Sequence, residues 1–183
     1  MSDKFYEMRF SGTGGQGMML LGDVFGKAAG LLENKEVLLL KSYGPEARGG
    51  ACRSELIVSD EHISYPELSR PDFVLAMSQL ACDSYSKDMD KENGMLLIDS
   101  ELVTEVPEDV KHVYSLPLTK IAVDTTGKEI TANVVALGAI SVLTGIVSPE
   151  NVLQVILKRF PEKLHEMNIN AFNAGVEAAK ALQ

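Results

Sequence analysis

The stretch FSGTGGQGMMLLGDVFGKAAG, residues 10–30, packs Gly12, Gly14, Gly15 and Gly17 into one short turn, then runs on as an apolar segment charged only at Asp23 and Lys27. The preceding KFYEMRFS, Lys4 to Ser11, alternates as a strand does, and Gly17 to Leu32 has the texture of a helix. A glycine-rich turn between a strand and a helix aims backbone N–H groups and a helix N-terminus at an anion. Gly12, Gly14 and Gly17 satisfy GxGxxG, so the segment predicts a Rossmann-like start with a phosphate cradle. The same glycines also fit a plainer role, close packing of the first helix on its sheet.

The dinucleotide form of this fingerprint asks for an acid at the end of the second strand, where it holds the ribose hydroxyls. Here the second apolar run, Val37 to Leu40, ends in Lys41-Ser42-Tyr43. A lysine suits a further phosphate better than a ribose diol, which turns the reading away from an ordinary NAD site.

Outward from this start, Glu55–Ser59, Asp72–Met77, Met95–Ile98 and His112–Ser115 read as short strands, with a helix over Gln79–Met89. Beyond Leu116 the pattern is helical: Thr119–Thr125, Asn133–Ile146, a helix capped by Ser148 with Pro149 first and Val152–Phe160 as its body, and Ile169–Leu182. Together these predict an α/β fold, a three-layer α/β/α sandwich with a mostly parallel sheet and a helical C-terminal part. A length of 183 residues fits one domain over 1–183.

Lys and Arg number 17 against 26 Asp and Glu, a net charge of −9, which argues against nucleic acid or an anionic membrane as the main partner. The longest uncharged run, Thr131 to Pro149, is interrupted by Asn133, Gly138 and Gly145 and is too short to span a bilayer. No signal-peptide core precedes the first glycines, so the cytoplasm is the expected location. Cys52 and Cys82 lie far apart and cannot build a disulfide framework or a four-cysteine metal or iron–sulfur site. His62, His112 and His165 form no motif with them, so neither a catalytic set nor a metal site is expected.

A second loop, SYGPEARGG over residues 42–50, brackets one Glu and one Arg between Gly44-Pro45 and Gly49-Gly50. Such a loop either presents a single guanidinium to an anion or is a solvated connection. Both glycine loops follow strands, which in a parallel sheet brings them to the same carboxyl edge. The candidate binding residues are therefore Gly12, Gly14, Gly15, Gln16, Gly17, Lys41, Tyr43, Arg48, Gly49 and Asn133, the last opening NVVALGAI either as a cap or facing the site.

GTGGQG, SYGPEARGG, SELIVSD leading to ISYP, and NVVALGAI occur in order, span nearly the whole chain, and together resemble the gamma subunit of 2-oxoacid:ferredoxin oxidoreductases, most closely the 2-oxoglutarate branch. The resemblance implies oxidative decarboxylation of a 2-oxoacid with coenzyme A, giving acyl-CoA, carbon dioxide and reduced ferredoxin. It implies that thiamine diphosphate and iron–sulfur clusters sit in partner alpha, beta and delta subunits, with ferredoxin met indirectly. It also implies that this chain is inactive alone and helps shape the approach of coenzyme A, whose diphosphate suits the glycine loop and whose 3′-phosphate suits Lys41 or Arg48. An isolated chain is expected to form a homodimer through the surface its partners cover. A self-sufficient nucleotide-binding enzyme and a pure assembly module are the competing readings.

Overall fold

A computed structural model describes residues 5–43, 50–64 and 67–183. In chain order it comprises β1 (Tyr6–Thr13), α1 (Met18–Leu32), β2 (Glu36–Tyr43), β3 (Ala51–Ser59), β4 (Phe73–Ala76), α2 (Gln79–Tyr85), β5 (Met95–Asp99), β6 (His112–Leu116), α3 (Leu118–Thr126), α4 (Ala132–Thr144), α5 (Pro149–Arg159) and α6 (His165–Lys180). The strands form one sheet in the order β2-β3-β1-β4-β5-β6. The pairs β1·β4, β4·β5 and β5·β6 are parallel, whereas β3 runs antiparallel to both β1 and β2. The α/β class and the predominance of one strand direction agree with the sequence reading, and the sheet is mixed because β3 enters against the rest.

That insertion matters for the glycine loop. In a dinucleotide-binding fold the second strand sits beside the first, close enough for its terminal acid to reach the ribose. Here β3 separates β2 from β1, with Lys41 opposite Ser54 and Ser54 opposite Phe10. Two strand spacings put Lys41 about 10 Å from β1 along the sheet. The NAD comparison thus fails in topology as well as in residue type.

One face of the sheet carries Met8, Phe10, Leu56, Phe73, Leu75 and Leu97 into a continuous apolar core with α1 and with residues of α3, α4, α5 and α6. Helix α4 is buried nearly all round, as the apolar run NVVALGAI demands. It lies so close to α6 that a Cβ on Gly175 would stand 1.9 Å from the Val135 carbonyl oxygen, and one on Gly138 2.2 Å from that of Phe172. Glycine is required there because backbone meets backbone.

The other face is covered by α2 and by the segment leading to β6, over a smaller cluster of Val74, Ala76, Cys82, Leu96 and Ile98. Arg9, only 4 % exposed, points into this layer. Its Nε donates to Glu55 at 2.7 Å, its Nη1 and Nη2 to Asp88 at 2.5 and 3.1 Å, and Nη1 also to the Tyr85 carbonyl at 2.9 Å. Burial alone would raise the Asp88 carboxyl, but the hydrogen bonds and charge of Arg9 outweigh it and hold Asp88 below the ordinary carboxylate value.

This network corrects one expected element. The helix predicted over Gln79–Met89 stops at Tyr85, whose carbonyl is taken by Arg9 instead of a following turn; Ser86 N closes the last helical bond to the Cys82 carbonyl and Ser86 Oγ adds a second donor to it. Strand β3 likewise begins at Ala51, earlier than the predicted Glu55, since Arg53 is held on the sheet between Glu55 and Tyr85. Its Nε lies 3.1 Å from Glu55 Oε1, without hydrogen-bonding geometry, and its guanidinium 4.9 Å from the centre of the Tyr85 ring.

Candidate functional site

At the carboxyl edge of the sheet the chain leaves β1 through Gly14, Gly15 and Gln16 and enters α1 after Gly17. Gly15 has φ +96° and Gly17 φ +83°, both in the left-handed region, so the loop turns back on itself where L side chains rarely follow. A Cβ on Gly14 or Gly15 would meet nothing within 4 Å, so the loop's outer surface is bare backbone. Helix α1 has no side-chain cap and no acid in its first turn. Its first N–H groups and the positive end of its dipole are thus left for an external acceptor.

The loop is held from behind. Gln16 Oε1 accepts from Thr13 N at 2.7 Å, and its Nε2 donates to the Met77 carbonyl at 2.8 Å, tying the loop to the end of β4. Asn133, in the first turn of α4 and 5 % exposed, donates through Nδ2 to the Gln16 carbonyl at 3.3 Å. A Cβ on Gly17 would come within 2.2 Å of that same Nδ2. Asn133 therefore buttresses the loop rather than capping α4, and both ends of the Gln16 amide are engaged by protein.

The two glycine loops do leave the same edge. Gly12 pairs with Cys52, and Cys52 with Tyr43, so the end of β1, the start of β3 and the end of β2 lie at one level of three neighbouring strands. Lys41 is exposed on β2. Arg48 and Gly49 lie outside the described residues, as does the side chain of Tyr43.

Beside the first loop is a cavity of about 350 Å³, lined by Gly15, Gln16, Met77, Leu102, Thr119, Glu129, Ile130 and Ala132. A second, of about 400 Å³, opens on the other side of Ile130, with Gly17, Leu20, Lys128, Asn133 and Phe160 in its wall. Ile130 borders both and is 59 % exposed. The sequence reading did not single out Met77, Leu102, Thr119, Lys128 or Ile130. The first three follow β4, β5 and β6, so the rule that ligands bind outside the carboxyl ends of parallel strands was the signal that could have found them. Among the described residues no group of three or more His, Cys, Asp and Glu could hold a metal ion, and no helix is long and apolar enough to cross a membrane. Burial pushes the thiols of Cys52 and Cys82 up from their ordinary value, which suits packing rather than nucleophilic work.

Comparison with known proteins joins this geometry to chemistry. Residues 7–178 match the family described as pyruvate ferredoxin/flavodoxin oxidoreductase. The chain belongs to that family. It is 46 % identical over 178 residues to the 2-oxoglutarate synthase subunit KorC of Methanocaldococcus jannaschii, covering 96 % of this chain and 95 % of the relative. The gamma subunit of a keto/oxoacid ferredoxin oxidoreductase from Geobacter sulfurreducens superposes with a TM-score of 0.89 at 42 % identity, over 97 % of this chain and 98 % of that one. The same fold recurs in a 2-oxoglutarate:ferredoxin oxidoreductase from Magnetococcus marinus, TM-score 0.85 at 23 % identity, where it spans all of this chain but 32 % of the longer one. The protein is thus a gamma-type subunit of a 2-oxoacid:ferredoxin oxidoreductase, a part of an enzyme complex.

Proposed function

We propose that the chain, one domain over residues 1–183, serves a complex that oxidatively decarboxylates 2-oxoglutarate, and that its carboxyl edge forms part of the path for coenzyme A. The observation that carries this reading is the glycine loop: bare backbone on the outside at Gly14 and Gly15, an uncapped helix N-terminus behind it, and Gln16 and Asn133 holding it from within. That arrangement fits a diphosphate, which brings acceptor oxygens and negative charge but no need for a side-chain donor. Lys41 and Lys128, near the same edge, are the described cations suited to a further phosphate. Glu129, in the wall of the first cavity, favours neutral amide or hydroxyl groups there over anionic ones.

The similarity to KorC supports 2-oxoglutarate as the oxoacid, and the Magnetococcus enzyme, described with 2-oxoglutarate, coenzyme A and succinyl-CoA bound, supports the co-substrate. Two cysteines in the whole chain are too few for a four-cysteine cluster, which assigns the iron–sulfur clusters to partner alpha, beta and delta subunits that pass electrons to ferredoxin; the family resemblance assigns thiamine diphosphate to those partners as well. The chain works in the cytoplasm and self-associates only when separated from those partners.

Co-purification of the tagged chain from its native cells, followed by coenzyme A-dependent viologen reduction with several 2-oxoacids, tests the assignment. Cluster-bearing partners with highest turnover on 2-oxoglutarate are expected. Recovery of the chain alone with a bound nucleotide would return the loop to a self-sufficient nucleotide-binding enzyme.

A further inference from the structure

Helix α1 begins at the glycine loop and ends far from it. Leu31, thirteen residues after Met18, stands about 20 Å along its axis. There α1 lies against α5, and the two are fixed to each other by Glu33, whose Oε1 accepts from Ser148 N at 3.0 Å and from Asn151 Nδ2 at 2.8 Å. Between them is a groove of about 250 Å³ lined by Lys27, Leu31, Leu32, Val155, Lys158 and Arg159. Its floor is aliphatic and its rim cationic.

Two features mark this groove. Leu31 is 76 % exposed, more than any other large apolar side chain described. In a chain of net charge −9 the rim gathers three cations. Lys27 pairs with Asp23 at 2.9 Å, whereas neither Lys158 nor Arg159 has a carboxylate within 4 Å among the described residues. Both sit in the last turn of α5, where positive charge favours the helix terminus. That local role explains the charges but not the uncovered leucine between them.

We infer that this groove is an assembly surface that receives an acidic amphipathic helix of a partner subunit. An apolar stripe between basic rims selects a helix with leucine-like anchors and flanking carboxylates, whereas a second copy meeting the same groove about a two-fold axis would set cationic rim against cationic rim. In the Magnetococcus enzyme the same fold occupies 32 % of a longer chain, so further polypeptide of the same enzyme adjoins this domain there. The inference rests on the subunit reading above but places the contact away from the glycine loop.

The test uses the assembled complex carrying Leu31→Asp, Lys158→Glu with Arg159→Glu, or Leu31→Met as the conservative control. Leu31→Asp is expected to weaken retention of one partner by about tenfold or more, the effect of uncovering one buried leucine. The double charge reversal is expected to weaken it most at low salt. Leu31→Met should retain it and melt within about 2 °C of the parent, whereas the acidic variants, which set negative charge at the C-terminal ends of α1 and α5, should melt several degrees lower, about 3–8 °C, yet as cooperatively folded chains. A benzophenone side chain placed at position 31 should crosslink to an acidic helical segment of a partner. Wild-type retention in both variants, or a crosslink to a second copy or to a non-helical or basic segment, overturns the groove while leaving the subunit assignment intact. A tagged parent chain that recovers no partner overturns both.

Discussion

Under α1 and the C-terminal helices the sheet meets rings: Phe10 stands edge-on to Phe25 and Phe73 with centroids 6.1 and 6.4 Å apart. Under α2, one residue away on the same strand, it meets the guanidinium of Arg9 held by Glu55, Asp88 and the Tyr85 carbonyl. The first face is non-directional and tolerates volume-conserving exchange, but fails where two backbones touch. The second depends on complete pairing, since a buried ion left without its partner is costlier than the pair was favourable. The carboxyl edge, where both layers end, inherits the glycine loop from the first and its β4 anchor through Gln16.

The sharpest break in this comparison is Arg9→Met, which leaves Glu55 with Arg53 alone and Asp88, half exposed, without its partner; a loss of about 3 kcal/mol is expected in urea unfolding, at the lower end for a broken buried pair. The same variant should change the acid limb. In the parent, the lowered Asp88 value contributes stability present above the ordinary carboxylate pKa of about 3.9 and lost as pH falls through the lower folded value. With Met at position 9 that part of the pH dependence disappears. On the apolar face, Gly175→Ala forces a Cβ into the Val135 carbonyl and is expected to cost about 3 kcal/mol, independent of pH. At the edge, Gly17→Ala meets a φ of +83° and the Asn133 amide; about 1–2 kcal/mol is expected in thermal unfolding. In the assembled enzyme it should raise KM for coenzyme A more than it lowers kcat.

The difference between the faces also decides what was legible in the sequence. The apolar face announced itself: the run after Gly17, Val37 to Leu40 and NVVALGAI each became the element their patterns predict. In KFYEMRFS the alternation places Arg9 on the face opposite Phe10, which is correct, but a period of two cannot distinguish solvent from a layer that supplies carboxylates. The end of α2 and the early start of β3 depend on that pairing, so both boundaries were missed. Strand order and the reversed direction of β3 depend on which strands meet, which no local pattern carries. At the site the glycine turn was legible because φ > 0 restricts the residue type. Ile130, in a single 3-10 turn over Glu129–Thr131, and Leu102 were not, because exposed aliphatics in short connections look alike until the strands bring them to one edge.

The most direct test of the account is hydrogen exchange at the backbone amides of residues 14–20 in the complete complex, with and without saturating coenzyme A. If the loop receives the diphosphate, those amides exchange more slowly with coenzyme A bound, while the amides of α5 beside the remote groove do not change. Unchanged exchange at residues 14–20 in a complex that turns over coenzyme A would contradict the account and leave the loop as a packing device alone.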